Sequence, residues 1–250
     1  MTKKIFYSAL FVMLFAAAPL FAQDKLINGI DANFPPFAYV GPDGKALGFD
    51  VEALDWIAEK EGFAVEHKPM EWDSIVTGLK EKKIDIIASG LSVTPARAEQ
   101  IAFTKSYWVI EQVVLVKKDS TKTLEEILTT DQSIGVQRGT SDAQAMEDSN
   151  GKNGRKYRLV TYDSYELAVV DVLNARIAAA VMNDAPAAKA ASGQPVKILG
   201  LAGIPNEEFA YGVNKENPEL LAQLNEGLTA IMADPHWQTL IDKYKPGEVH

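Results

Sequence analysis

The run Ser89-Gly-Leu-Ser-Val-Thr-Pro-Ala-Arg97 places a glycine turn, two small hydroxyls and one arginine directly after the apolar residues 84–88. An apolar run ending in Gly and Ser, with Thr-Pro soon after, reads as a strand, a loop and the start of a helix. Backbone N–H groups in such a loop face an anion, and a guanidinium adds a planar fork of donors matched to a carboxylate. The chemistry is capture of a small carboxylic acid. Polar residues close other apolar runs too: Asp31 the first, Thr140 and Ser141 the one ending near Val136, Asn183 and Asp184 the one ending at Met182. In open α/β sheets ligands bind beyond the carboxyl ends of strands, so these loops are expected to converge on one crevice. Each residue alone also fits a helix cap, the commonest use of Ser, Thr and Asp there. For Ser141, Asp142 and Asp184 both readings stand.

Aromatic residues add a second signal. Phe34, Phe37 and Tyr39 lie in or beside a proline-containing loop next to Asp31, away from any helical periodicity, and Trp72 precedes a helix start. Two flat rings sandwich an apolar ligand stem well, and Phe34 and Trp72 are the expected walls. Phe37 and Tyr39 fit a satellite hydrophobic cluster equally well. Catalytic signals are poor. There is no Gly-x-Ser-x-Gly elbow and no Gly-x-x-x-x-Gly-Lys phosphate loop. The chain has no cysteine, and its three histidines, His67, His236 and His250, show no metal-ligand spacing. No catalytic residue, metal or cofactor is expected.

The elements that must position these groups alternate as strands and helices, which is the α/β class. Apolar runs at 26–32, 64–69, 84–88, 133–136, 159–162, 178–182 and 196–201 read as strands. Val51, Leu54, Ile57 and Ala58 are spaced for a helix over 49–61, stopped by Gly62. Asp73 or Ser74 is expected to cap a helix running to Leu79, and helices are read at 123–128, 141–148, 165–175, 186–191, 218–232 and 236–244. The extended stretches at 107–116 and 205–213 read as crossings between two lobes.

Residues 1–22 are different material. Lys3 and Lys4 precede an apolar stretch, and the segment ends Pro19-Leu-Phe-Ala22, with one small residue before Gln23-Asp24, the pattern of a secretory signal. Export to a Gram-negative periplasm is the expected destination. Removing that segment takes away two lysines and no acid, so the net charge of -9 becomes -11. Such acidity argues against nucleic acid, whose phosphates demand clustered Lys and Arg.

Together these residues resemble the solute-binding protein family 3 of bacterial transporters. The likeness rests on Asp31-Ala-Asn-Phe-Pro-Pro-Phe37, Gly48-Phe-Asp50, Ser89 to Arg97 with Ile101-Ala-Phe-Thr104, and Asn183-Asp-Ala-Pro186, with Gly135-Val-Gln-Arg-Gly-Thr-Ser141 as a weaker fifth segment. The resemblance implies a type II periplasmic binding protein fold, two α/β lobes joined by two hinge strands. Lobe 1 would be 23–110 with 212–250, and lobe 2 would be 111–211. It implies a monomer that closes on a polar L-amino acid and delivers it to a membrane ABC permease. Arg97 would grip the α-carboxylate with the backbone of Ser92 and Ser141; Asp184 would pair with the α-ammonium, joined by the Gly90 carbonyl. Asp31, Phe34 and Trp72 would face the side chain, with Ser89 and Thr140 completing the site. A lysine of some members is Gln137 here, which argues against a glutamine-type pocket. Asp31 and Asp142 are candidates to meet a cationic side chain, so arginine or lysine is favoured, with glutamine or histidine next. The alternative is an enzyme of the cyclohexadienyl dehydratase kind, using a pocket carboxylate as its acid.

Overall fold

The computed structural model describes residues 25–244; the stretch read above as a secretory signal, 1–22, lies outside them. The first strand, β1 (Lys25–Asp31), leads into a small antiparallel sheet of β2 (Asn33–Phe34), β3 (Ala38–Val40) and β4 (Ala46–Leu47). Helix α1 (Phe49–Glu61) follows, with its apolar stripe buried and Gly62 closing it in the left-handed conformation. Then come β5 (Ala64–Met70), a 3-10 turn over Trp72–Ser74, α2 (Ile75–Lys80), β6 (Ile86–Ile87), α3 (Pro95–Ala98) and β7 (Ala102–Phe103).

Strand β8 (Trp108–Ile110) leads out to a second set: β9 (Gln112–Lys117), α4 (Leu124–Thr129), β10 (Gln132–Gln137), α5 (Ser141–Ser149), β11 (Tyr157–Tyr162), α6 (Tyr165–Leu173), β12 (Ala179–Asn183), α7 (Asp184–Gly193) and β13 (Val196–Leu201). The chain returns through β14 (Glu207–Phe209) and β15 (Gly212–Val213) to α8 (Pro218–Ala233) and α9 (Pro235–Tyr244).

Two lobes result, each built on a five-stranded sheet, ordered β5-β1-β6-β15-β7 in one and β11-β10-β12-β9-β13 in the other. In each, three neighbouring strands run parallel and the strands supplied by the crossings run antiparallel. The crossings pair with each other, β8 with β14, in a two-stranded antiparallel ribbon. The sheets are covered on both faces, as parallel sheets require. Alternation along the strands divides the core: Ile86 and Ala88 enter one apolar cluster and Ile87 another, and Val113 and Leu115 part in the same way from Val114 and Val116.

Three local expectations are corrected. The extended stretch at 107–116 is two strands broken at Glu111, because β8 must pair with β14 while β9 joins the second sheet. The stretch at 205–213 divides likewise into β14, which pairs with β8, and β15, which joins the first sheet. Ser74 does not cap α2: its hydroxyl donates to the Glu71 carbonyl at 2.9 Å, within the 3-10 turn. His67 is structural, with Nδ1 3.0 Å from the Asn28 amide nitrogen and Nε2 3.0 Å from Asp55. Among the described residues no helix is long and apolar enough to cross a membrane.

Candidate functional site

Between the lobes lies a narrow crevice. One side is lined by Asp31, Phe34, Trp72, Ser89, Gly90, Ser92 and Arg97. Facing them are Gln137, Thr140, Ser141, Asp142, Tyr165 and Asn183.

Arg97 is set by the local sequence. Thr94 accepts the Arg97 N–H at 3.2 Å, and Pro95 opens the short α3, so the side chain leaves from a fixed turn. Its Nη1 donates to the Ser92 carbonyl at 2.9 Å and its Nη2 to the Gly139 carbonyl of the other lobe at 3.1 Å. The guanidinium lies over the Trp72 ring, 5.6 Å from the centroid, a cation–π arrangement. Trp72 is thus as much a platform for Arg97 as a wall. Burial pulls the Arg97 pKa down, and the negative charges of Glu207 and Asp142 oppose that pull.

At the other end, Asp31 closes β1. Its Oδ1 accepts the Asn33 N–H at 2.9 Å, and its Oδ2 accepts from the Gln137 amide of the opposite lobe at 2.7 Å. Burial raises its pKa, with Glu71 and Glu166 adding to the rise and the hydrogen bonds from Gln137 and Asn33 opposing it. Ser89 is committed to the scaffold, since its hydroxyl accepts the Asp31 N–H at 3.0 Å. Gly90 has φ of 61°, and a Cβ there would come within 2.3 Å of the Phe34 ring, so only glycine fits. Its N–H donates to Asp50 at 2.6 Å, which gives the Gly48-Phe-Asp50 segment its purpose: Asp50 holds the loop. Burial drives the Asp50 pKa up to about 7. Phe34 packs on Phe37 at 5.6 Å and meets Tyr165 across the crevice at 6.0 Å, while Phe37 is core.

Asp142 lies fully buried at the start of α5. It does not cap the helix; Thr140 does, accepting the Ala143 N–H at 3.2 Å. The Tyr165 hydroxyl donates to Asp142 Oδ1 at 2.9 Å, and Oδ2 is buried with no hydrogen-bond partner. Burial raises this carboxyl to about 6. A buried carboxylate oxygen left open and facing a crevice is a place for a cation.

The structure brings nine of the ten expected residues to the crevice: Asp31, Phe34, Trp72, Ser89, Gly90, Ser92, Arg97, Thr140 and Ser141. It does not bring Asp184. That residue opens α7, its carboxylate accepts the Ala185 N–H at 2.9 Å, and its own N–H donates to the Glu111 carbonyl. The last residue of β12, Asn183, lines the crevice in its place, because successive residues at a strand end face opposite ways. Gln137 and Tyr165 were not among the expected residues. Tyr165 follows the carboxyl end of β11, so the rule that located the other loops reaches it too.

Comparison with known proteins agrees with this architecture. Residues 26–247 match the model of the bacterial extracellular solute-binding proteins, family 3. The ABC transporter arginine-binding protein 1 of Escherichia coli (strain K12) is 28% identical over 230 residues, covering 90% of this chain and 92% of that protein. A crystal structure of an ancestral amino acid-binding protein, described as a precursor of cyclohexadienyl dehydratase, superposes with a TM-score of 0.80 at 30% identity, covering 88% of this chain and 95% of that one. An ancestral arginine-binding protein bound to glutamine gives 0.79 at 31% identity, over 89% of this chain and 98% of that one. With a crevice between two α/β lobes and a family match across nearly every described residue, the chain belongs to the bacterial extracellular solute-binding proteins, family 3.

Proposed function

We propose that the protein is a periplasmic receptor for a basic L-amino acid, arginine or lysine ahead of glutamine or histidine, which it delivers to a membrane ABC permease. The charge pattern of the crevice carries this reading. Its lining holds one cation, Arg97, and two anions, Asp31 and Asp142. A basic amino acid is the complement, with one carboxylate and two cationic groups. Unpaired buried charges are costly, so the count matters more than any single contact.

In this reading Arg97 takes the α-carboxylate, with backbone N–H groups of Ser92 and Ser141. Asp142, with Asn183 and the Gly90 carbonyl, takes the α-ammonium; Asp184 has no part. Asp31 meets the far cationic group, and Phe34 and Trp72 flank the stem. The contacts come from both lobes, so ligand favours the closed arrangement, in which all its charges are paired. Relatives named for arginine binding support the class of ligand. The dehydratase alternative is not favoured, because the curated relatives are named as binding proteins.

A thermal-shift screen against the twenty amino acids tests the reading. Arginine or lysine should raise the melting temperature most, since a ligand specific for the native state stabilises it by about 4 kcal/mol at a thousandfold excess over Kd. A largest shift with glutamate or aspartate, or no shift with any amino acid, would refute it.

A further inference from the structure

We propose that Glu207 tunes the carboxylate end of the crevice: its negative charge weakens the hold of Arg97 on a ligand carboxylate and so keeps the receptor selective for ligands of net positive charge. The inference rests on the functional reading above and adds a residue outside the crevice lining.

Glu207 sits on β14, the returning crossing, opposite Ile110 of β8. That strand is fastened to the arginine loop, because Ser92 bridges to Phe209 and the Val93 N–H donates to the Glu208 carbonyl at 2.8 Å. Alternation then sends the two neighbouring carboxylates apart. Glu208 turns outward to the Ser106 hydroxyl, while Glu207 turns inward, and its Oε2 accepts from the Ser141 hydroxyl at 2.7 Å. Ser141 is one of the groups assigned to the ligand carboxylate. Arg97 does not consume Glu207, since its two guanidinium hydrogen bonds go to the Ser92 and Gly139 carbonyls. The negative charge of Glu207 nevertheless opposes the lowering of the Arg97 pKa by burial, and it pushes the Asp142 carboxyl up. A fixed anion bonded to Ser141 opposes an arriving carboxylate and assists an arriving ammonium. A zwitterion with a second cation tolerates it; a ligand with a second carboxylate does not.

The test is calorimetric titration of the full mature protein and its Glu207→Gln and Glu207→Ala variants with L-arginine and with L-argininamide, which lacks the carboxylate charge. Melting curves establish that each variant is folded, and the near-isosteric glutamine keeps an acceptor for Ser141. Both variants should bind arginine on the order of tenfold more tightly than the parent. Argininamide, which keeps both cationic groups and loses the anion's assistance to them, should bind no more tightly and up to several-fold more weakly. Unchanged or weaker arginine binding in both variants overturns the inference, as does an equal gain for argininamide, which would mean that Glu207 acts through the fold. Parent protein that binds neither arginine nor any other amino acid overturns the functional reading and this inference with it. Parent protein that binds normally beside an unimproved Glu207→Gln overturns this inference alone.

Discussion

Replacing Asp142 by asparagine should move stability and affinity in opposite directions. Burial raises this carboxyl from 3.8 to about 6. At 1.36 kcal/mol per pH unit, an ionised Asp142 burdens the unliganded fold by about 3 kcal/mol above pH 6. A group whose folded pKa is raised stabilises fully below its unfolded pKa, and that contribution fades as pH climbs through the folded value. Asp142→Asn should therefore melt about 6–12 °C higher than the parent at pH 8 for a protein of this size, with the gap closing towards pH 4. The Tyr165 hydroxyl, which now donates to Oδ1, is placed to bond the amide as well. Affinity should fall, because one partner of a buried charge pair has been removed: about 2–5 kcal/mol, or roughly thirtyfold to several thousandfold in Kd. In the parent, arginine binding should weaken as pH drops below about 6, where Asp142 holds a proton. Paired melting scans and calorimetry from pH 4 to pH 8 read both effects. An Asp142→Asn protein that binds arginine like the parent, or melts no higher at pH 8, refutes the assignment of Asp142 as the ammonium partner.

Three further outcomes are expected. Arg97→Ala should weaken arginine binding by about 2–5 kcal/mol, since the ligand carboxylate would be enclosed without its guanidinium, and unchanged calorimetric affinity would remove Arg97 from the site. Asp184→Asn should change affinity less than about threefold, because that carboxylate turns to the Ala185 N–H; a hundredfold loss would return it to the ammonium. Gly90→Ala should destabilise the fold by about 1–3 kcal/mol through the left-handed backbone and the collision with Phe34, read as a lower melting temperature.

Much of the crevice was legible because the rule that finds it is local: a polar residue after an apolar run marks the carboxyl end of a strand. The rule says less about which of two adjacent polar residues faces inward. Asn183 and Asp184 are neighbours, and only the position where β12 stops decides between them. Helix α1 was legible at both ends because its apolar spacing and Gly62 agree. The stretch at 107–116 looked continuous because β8 and β9 share one residue chemistry and differ only in their distant partners, β14 and β12. The links across the crevice, such as Gln137 to Asp31, join residues 106 positions apart, and no local pattern encodes them.

Gly139 offers its carbonyl to Arg97 from the opposite lobe, and a Cβ added to it would stand 2.8 Å from the Asp73 Cα. The rim of the crevice is thus main chain against main chain, with no room for a single methyl group. Alanine at that position would meet the Asp73 main chain and strain a backbone held at φ of 76°, and it would pull on the Arg97 bond to the Gly139 carbonyl. Grip and fit therefore meet at one residue, whose carbonyl holds the guanidinium and whose missing side chain lets the two lobes touch.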